Sequence, residues 1–131
     1  MTIFSKIIEG IIPSYKIAES DRFVAFLDIS PLVKGHVLIV SKIEVDKIFD
    51  LPEEYLSEML VFAQPIAKAI EQVFDCDRCG ISVVGLEVPH AHMHLVPIKS
   101  ADDLNFNRKK LSLSKEEFIE VQRLITSALK K

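Results

Sequence analysis

One short segment constrains this chain more than any other. His90, His92 and His94 alternate with apolar residues and lead directly into an apolar run. If the segment is a β-strand, the three imidazoles share one face of the sheet and the intervening side chains pack on the other. His36, the one remaining histidine, opens a second strand-like run. Three histidines within five residues predict a chemical site, because histidines without a joint role would be scattered over the surface.

The chain has the size and composition of an ordinary globular domain. Its 131 residues, 49% of them hydrophobic and 27% charged, can bury a sizeable core within one domain. A net charge of −3 does not favour binding to nucleic acid or to acidic lipid. No apolar run approaches the ~20 residues that cross a bilayer, and the amino end lacks the pattern of a signal peptide. We therefore expect a cytoplasmic protein with no nucleic-acid or membrane partner.

Hydrophobic periodicity and turn residues predict an α+β domain. The pattern fits an antiparallel sheet of about five strands with one short helix, one long helix and a C-terminal helix. Asp50 is the predicted cap of the long helix, and Pro65 should kink this helix without ending it, because the apolar stripe stays in phase. The predicted elements are a helix over 2–9, a hairpin of strands 14–19 and 22–28, strands 36–40, 79–84 and 90–98, a helix from about 52 to 74 and a helix from Ser114.

Two groups of residues could bind a metal ion. Imidazoles two residues apart on a strand lie about 6.7 Å apart at the backbone and can converge on one ion, with His36 or Glu87 as third ligand. However, no carboxylate pattern suggests supporting hydrogen bonds, and no residue is placed as a fourth ligand. Cys76 and Cys79 form a lone C-x-x-C, whereas strong zinc patterns supply two further ligands at set spacing. We predict no metal site and interpret the cysteines as ordinary reduced thiols, with a metalloenzyme as the less favoured alternative.

Chemistry at phosphorus explains the histidines better. A neutral imidazole is a nucleophile near pH 7 because its unperturbed pKa is about 6.5, so no strong base has to activate it. Neighbouring imidazoles can hold the non-bridging oxygens, where negative charge gathers in the transition state. One attacking ring and two stabilising neighbours account for the triplet and for the distant His36. This chemistry requires no metal and no other cofactor.

Several sequence blocks resemble the histidine-triad (HIT) superfamily of nucleotidyl hydrolases and transferases, in its Hint-like branch. Together, in this order and spacing, they cover the chain from about Thr2 to Ile98. The resemblance implies a single HIT-like domain over 1–131 with a C-terminal extension over about 100–131. The blocks are residues 2–8 followed by 12–13, residues 25–31 followed by 35–39, and residues 90–98.

The resemblance implies a role for each polar residue of the site. His92 would attack the α-phosphorus of a nucleoside monophosphate ester, amide or anhydride and form a nucleotidyl-histidine that water hydrolyses. His94 and His36 would contact phosphate oxygens. His90 would orient the ring of His92 from behind. Asp28 would accept hydrogen bonds from the ribose hydroxyls, although by its local sequence alone it could equally be a turn residue.

The resemblance also implies a purine nucleotide substrate, no cofactor and a homodimer formed through the long helix and a sheet edge. For the apolar residues of the base pocket, plain core packing is an equally good interpretation of the sequence. These residues are Ile3, Phe4, Ile7, Phe26, Ile29 and Leu38.

One departure from the family pattern concerns the connection before the triplet. Leu86 stands where many members carry a glutamine, and its side chain cannot donate a hydrogen bond to phosphate. Glu87 stands where a small polar residue is common, and it either modifies the choice of leaving group or faces solvent. The alternative function is therefore a nucleotide-binding protein with weak or no turnover. The tail after Lys99 lies outside the motif and could close over the site.

Overall fold

The computed structural model describes residues 1–130 and shows three α-helices and five β-strands. Two short 3-10 turns, Ile48–Asp50 and Ala101–Leu104, lie between the longer elements. The elements are α1 (Ile3–Ile8), β1 (Lys16–Glu19), β2 (Phe23–Leu27), β3 (Val37–Ser41), α2 (Glu53–Val73), β4 (Arg78–Ser82), β5 (His92–Ile98) and α3 (Lys115–Leu129).

The five strands form one antiparallel sheet in the order β1-β2-β3-β5-β4. This confirms the predicted α+β fold class. All five residues of β2 are buried, as expected for a strand that is apolar on both faces and pairs on both sides. In the pairing of β3 with β5, Leu38 lies opposite His94 and Val40 lies opposite His92. Because paired residues point to the same face, this register places both imidazoles beside the side chains of β3.

The two faces of the sheet carry different layers. One face packs against α2 and α3, and its core includes Met93 and Leu95 from between and after the histidines. The other face carries a smaller apolar cluster that α1 covers. Its buried members are Phe4, Val24, Phe26, Leu38 and Val40. The alternation predicted for the histidine segment is therefore confirmed for β5, with apolar side chains in the main core and imidazoles on the α1 face.

Several boundaries differ from the sequence prediction; β1 begins at Lys16 instead of residue 14, and β4 ends at Ser82 instead of residue 84. Asp50 was expected to cap the long helix, but it belongs to a 3-10 turn, and Pro52 occupies the N-cap position. The reason is Leu51, which is extended (φ −66°, ψ 146°) and only 4% exposed, so burial of its side chain separates the turn from the helix. At the histidine segment, β5 begins at His92, and His90 lies just before the strand.

The continuity of the long helix and the start of the C-terminal helix are confirmed, and the kink expected at Pro65 stays a prediction. α2 runs from Glu53 to Val73 and continues through Pro65 without a break. α3 begins at a capping box in which Ser114 Oγ accepts a hydrogen bond from Glu117 N at 3.1 Å and Ser114 N donates to Glu117 Oε1 at 3.0 Å. Across residues 1–130, none of the helices combines the length and the apolar character needed to cross a bilayer. The cytoplasmic location stays a prediction.

Candidate active site

His92 opens β5 and has one ring nitrogen held by the backbone. Its Nδ1 lies 2.6 Å from the carbonyl oxygen of His90. A carbonyl oxygen can only accept, so Nδ1 carries the proton and Nε2 of the neutral ring keeps its lone pair. The Phe4 ring stands almost perpendicular to the His92 ring, at 79° and with 5.0 Å between centroids, which limits its rotation. His92 therefore presents an unprotonated nitrogen in a fixed orientation.

His36 and His94 form a hydrogen-bonded pair beside His92. Leu32 N donates to His36 Nδ1 at 3.0 Å, so the proton of the neutral His36 ring is on Nε2. This Nε2–H donates to His94 Nδ1 at 2.9 Å, which leaves the proton of His94 on its own Nε2. His94 Nε2–H is thus available as a donor, and the His92 and His94 ring centroids lie 5.1 Å apart.

Burial keeps this histidine pair neutral. Loss of solvation lowers the pKa of His36 to about 3, and the neighbouring His94 contributes to the same direction. Loss of solvation also lowers the pKa of His94 to about 4, again with a contribution from the next ring, His92. At neutral pH both rings therefore act as uncharged hydrogen-bond groups. Because both ring nitrogens of His36 are already engaged, any effect of His36 on a phosphate oxygen passes through His94.

The backbone before His36 requires glycine. Gly35 has φ +98°, a conformation that residues with a Cβ rarely adopt. A Cβ at this position would also lie 2.7 Å from a ring carbon of Phe74. This turn lets the chain reverse between Leu32 and β3, so that His36 N donates to the carbonyl of Val33 and the His36 ring points back toward His94.

Asp28 follows β2 and lies against the histidine pair. Its Oδ1 accepts a hydrogen bond from Ser30 N at 2.8 Å, and its Oδ2 lies 3.5 Å from His36 Nε2. Burial raises the pKa of this carboxyl group, and the hydrogen bond from Ser30 opposes the rise. With a side chain 20% exposed, Asp28 has one face open to a ligand.

His90 is fully buried and belongs to a network that the sequence analysis missed. Its Nε2 donates to the carbonyl oxygen of Ser41 at 2.7 Å, so its Nδ1 is the acceptor for Thr2 Oγ1, also at 2.7 Å. Thr2 in turn accepts from Ser5 N at 3.0 Å as the N-cap of α1. Ser5 Oγ donates to Glu44 Oε1 at 2.5 Å, and Thr2 N donates to the same oxygen at 2.9 Å. The imidazole of His90 thus ties α1 to the sheet, and its carbonyl holds His92.

Replacement of Thr2 by valine is expected to lower the free energy of unfolding by about 3 kcal/mol. The change leaves the buried His90 Nδ1 with only the long 3.4 Å contact to Ser5 Oγ, which costs about 1–3 kcal/mol, and removes a helix cap worth about 1 kcal/mol. Urea unfolding measures the loss. Thr2→Ser should restore most of it, and Ser114→Ala, which removes only a cap, should cost about 1 kcal/mol. A Thr2→Val loss no larger than that of Ser114→Ala would contradict the importance of the His90 contact.

The structure brings together four of the six apolar residues expected in the base pocket. Phe4, Phe26 and Leu38 are buried in the α1-side cluster, and Ile7 packs against it. Ile3 and Ile29 lie outside the cluster, with 45% and 66% of their surface exposed. The cluster adjoins His92 through the Phe4 ring. Its role toward a ligand stays a prediction.

Glu87 lies at the surface next to the site. Together with Glu44 and Asp46 it lines an open groove of about 640 Å³ beside the start of α1. Its charge reaches Asp28, where it adds to the rise in pKa that burial causes. Leu86 is 89% exposed and adds no polar group to the site. An effect of Glu87 on the leaving group stays a prediction.

Within residues 1–130, one group of side chains could hold a metal ion: the ligand atoms of Asp28, His36 and His94 all lie within 4.8 Å of one another. The two imidazoles already share a proton in their 2.9 Å hydrogen bond, so a metal ion would have to displace it. Cys76 and Cys79 are not part of this group. Burial raises the pKa of Cys79 to about 12 and also raises that of Cys76, so neither is a ready thiolate ligand.

Comparisons with known proteins show the family of this chain. The HIT domain family matches residues 9–101. An uncharacterized HIT-like protein of Borreliella burgdorferi is 33% identical over 132 residues, covering 95% of each chain. The adenosine 5'-monophosphoramidase hnt1 of Schizosaccharomyces pombe is 31% identical over 130 residues, covering 98% of each chain. The crystal structure of a Hit-like protein involved in cell-cycle regulation from Bartonella henselae, with an unknown ligand, has a TM-score of 0.83 at 28% identity and covers 97% of this chain and 95% of that one. The chain belongs to the HIT domain family.

Proposed function

We propose that this protein is a nucleotidyl hydrolase or transferase in which His92 Nε2 attacks the α-phosphorus of a nucleoside monophosphate derivative. The substrates would be phosphoramidates, dinucleoside polyphosphates or similar compounds. The observation that carries the proposal is the 2.6 Å contact of His92 Nδ1 with the His90 carbonyl, which leaves the Nε2 lone pair free. The name of the fission-yeast relative, an adenosine 5'-monophosphoramidase, supports the same class of reaction.

The reaction would proceed in two displacements at the same phosphorus. In the first, a bond forms between His92 Nε2 and phosphorus while the bond to the leaving group breaks, and the leaving group keeps the electron pair and takes a proton from solvent. In the second, water attacks phosphorus and loses a proton to solvent. The bond to Nε2 then breaks, and the neutral ring of His92 and the nucleoside monophosphate are restored. The Nδ1–H bond to the His90 carbonyl stabilises the positive ring of the intermediate.

His94 would supply the hydrogen bond to the non-bridging phosphate oxygen. Its Nε2–H adjoins His92, and its protonation is fixed by the bond that its Nδ1 accepts from His36. A donor already oriented toward developing negative charge is worth about 10²–10³ in kcat in comparable sites. His36 would act as the group that sets this orientation, and His90 would do the same for His92.

A purine nucleoside would lie against the α1-side cluster next to His92. Phe4 and Ile7 of α1 face Phe26 and Leu38 of the sheet there, which gives an apolar surface for a base. Asp28 would accept hydrogen bonds from the ribose hydroxyls with the carboxylate face that Ser30 leaves open. Ile3 and Ile29 would contribute only at the rim.

A second candidate function is nucleotide binding with little turnover. The observation that favours it is Leu86, an exposed apolar residue at the position where the family resemblance implies a glutamine that could donate to phosphate. Trapping of the intermediate distinguishes the two functions. Wild-type protein quenched in acid-free denaturant after mixing with adenosine 5'-phosphoramidate should carry one adenylyl group by intact mass, and His92→Ala should carry none. Binding without an adduct and without release of adenosine monophosphate would favour the second candidate.

We also propose a homodimer formed through α2 and β4. β4 is an edge strand of the sheet, and Ile81 on this strand is 49% exposed. Leu60 and Val61 of α2 are 60% and 67% exposed and line an apolar groove of about 350 Å³ with Ile81. An unpaired strand edge beside an apolar helix face is a surface that a second copy can cover.

Ile81→Asp should weaken the proposed dimer about a hundredfold, because it places a charge in an apolar contact. Light scattering at micromolar concentration measures the mass. Phe49→Asp is the matched control, since Phe49 is 88% exposed, lies in the 3-10 turn Ile48–Asp50 and does not line this groove. A monomeric wild type, or an Ile81→Asp variant that stays dimeric, would contradict the proposed interface.

A further inference from the structure

The C-terminal segment 105–111 folds back over the histidines. After β5 and the 3-10 turn Ala101–Leu104, Leu111 N donates to the carbonyl oxygen of Pro31 at 2.8 Å and ties the segment to the loop before His36. Arg108 anchors it further. Its guanidinium donates to Asp103 at 3.1 Å and to Asp102 at 3.2 Å, and it reaches the carbonyl of Leu32 at 3.5 Å. The segment lies beyond the residues 9–101 that match the HIT domain family, so its contacts with the site come from outside the matched region.

Phe106 is the residue of this segment that packs on the histidine pair. Its ring meets His94 edge-on, at 64° and with 4.6 Å between centroids. The His36 ring lies further away, with 6.3 Å between centroids. An aromatic ring in this position excludes water from one side of the pair and so contributes to the burial that keeps both rings neutral.

The ammonium group of Lys110 is held near Phe106. Its ammonium group donates to the carbonyl oxygens of Phe106 and, at 3.1 Å, of Arg108. An ammonium group has three N–H donors, so one remains for another acceptor. Nζ lies 6.0 Å from the centroid of the Phe106 ring, which itself contacts His94.

The charge of Lys110 reaches the groups that face the ligand. Burial raises the pKa of Asp28, and the positive charge of Lys110 opposes that rise. Burial lowers the pKa of His36, and Lys110 lowers it further. The positive charge of Lys110 therefore acts on Asp28 and His36, and its ammonium group lies near the Phe106 ring that contacts His94.

A cation near this site would favour the binding of a phosphate group. His36 and His94 are neutral at pH 7, so the pair supplies a hydrogen bond but no full positive charge. Leu86 supplies no donor, and the charges of Asp28 and Glu87 are unfavourable for an anion. Given the proposed function, on which this step rests, we propose that Lys110 is the residue that binds the negative charge of the substrate phosphate and that Phe106 holds segment 105–111 against His94 for this purpose.

The test compares adenosine monophosphate with adenosine, because the two ligands differ only in the phosphate. Lys110→Gln keeps a donor for the backbone carbonyls but removes the charge. Measured by calorimetry, the affinity of this variant for adenosine monophosphate should be about tenfold to a hundredfold lower, as expected for loss of a charged hydrogen bond. Its affinity for adenosine should stay within about twofold of the wild-type value. Lys110→Arg should keep most of the affinity. Added salt should lower the affinity for adenosine monophosphate less in Lys110→Gln than in wild type, because the screened charge is already gone.

Lys109→Gln is the matched control, since Lys109 is the exposed neighbour and carries the same net charge change. An equal loss in Lys109→Gln would show a general charge effect and overturn the assignment to Lys110. An equal loss of affinity for adenosine and for adenosine monophosphate in Lys110→Gln would show that Lys110 has a structural role only. Unchanged affinities for both ligands would also overturn the assignment to Lys110. Wild type that binds adenosine monophosphate but forms no His92 adduct would contradict the proposed function while leaving the Lys110 result valid. Wild type that binds neither ligand would overturn both.

Discussion

Replacement of His92 by alanine is expected to reduce kcat for adenosine 5'-phosphoramidate by about 10⁴-fold or more. The variant loses the atom that would form the bond to phosphorus. Removal of a covalent nucleophile lowers kcat by a factor of this size in other enzymes. Binding of adenosine monophosphate should change little, because the apolar cluster, Asp28 and His94 remain. Single-turnover kinetics measure the chemical step, and calorimetry measures binding.

Added imidazole should restore part of the activity that His92→Ala loses. Exogenous imidazole fits the space of the lost ring and can attack phosphorus itself, releasing nucleotidyl-imidazole that hydrolyses in solution. The rate of His92→Ala should therefore rise with imidazole concentration, whereas wild type should not respond. A variant that keeps more than a tenth of the wild-type rate without imidazole would show that water attacks directly and that His92 is not the nucleophile.

The free energy of unfolding is expected to fall as the pH drops below about 6.5. The folded pKa values of His36 and His94 are lowered to about 3 and 4 from the usual 6.5, and burial lowers that of His90 as well. Between these values the unfolded chain binds protons that the folded chain does not, so the unfolding free energy rises with pH. The stabilisation is complete above pH 6.5. It is lost toward pH 4, at about 1.4 kcal/mol per pH unit for each histidine.

Urea unfolding at pH 7 and pH 5 measures this slope. The interval from pH 5 to pH 7 lies above the pH range in which carboxyl groups with a lowered pKa change the stability. Glu19, whose pKa is lowered from 4.5 to about 2, is one of these groups. Asp28 acts in the opposite direction, because its pKa is raised in the folded state and its protonation relieves an unfavourable buried charge. His94→Asn should show a shallower slope, since one titrating ring is lost. A wild-type protein equally stable at both pH values would contradict the neutral, buried state of the histidines.

Local patterning was enough to predict the layers of this fold. The alternation at 90–98 correctly separates the imidazoles of β5 from Met93 and Leu95, because side chains of a strand alternate between faces whatever the strand pairs with. The continuous apolar run of β2 likewise predicts a strand buried on both faces. The capping box at Ser114 is a signal within four residues, and it is present in the structure. The cap at Asp50 was predicted wrongly because burial of Leu51, a tertiary effect, decided the local backbone.

The sequence by itself determined which chemical groups this protein has available: three imidazoles at alternate positions of one segment, a fourth from another segment, and an apolar helix at the amino end. Only the tertiary structure decided which nitrogen of His90 and of His94 carries a proton, because the partners that set this lie far away in the chain. Thr2 meets His90 across 88 residues, and His36 meets His94 across 58. Phe106 and Lys110 likewise reach the site only because the segment after β5 turns back on it. Periodicity reports the face on which a side chain lies, whereas a hydrogen bond depends on atoms that only the folded chain brings within 3 Å.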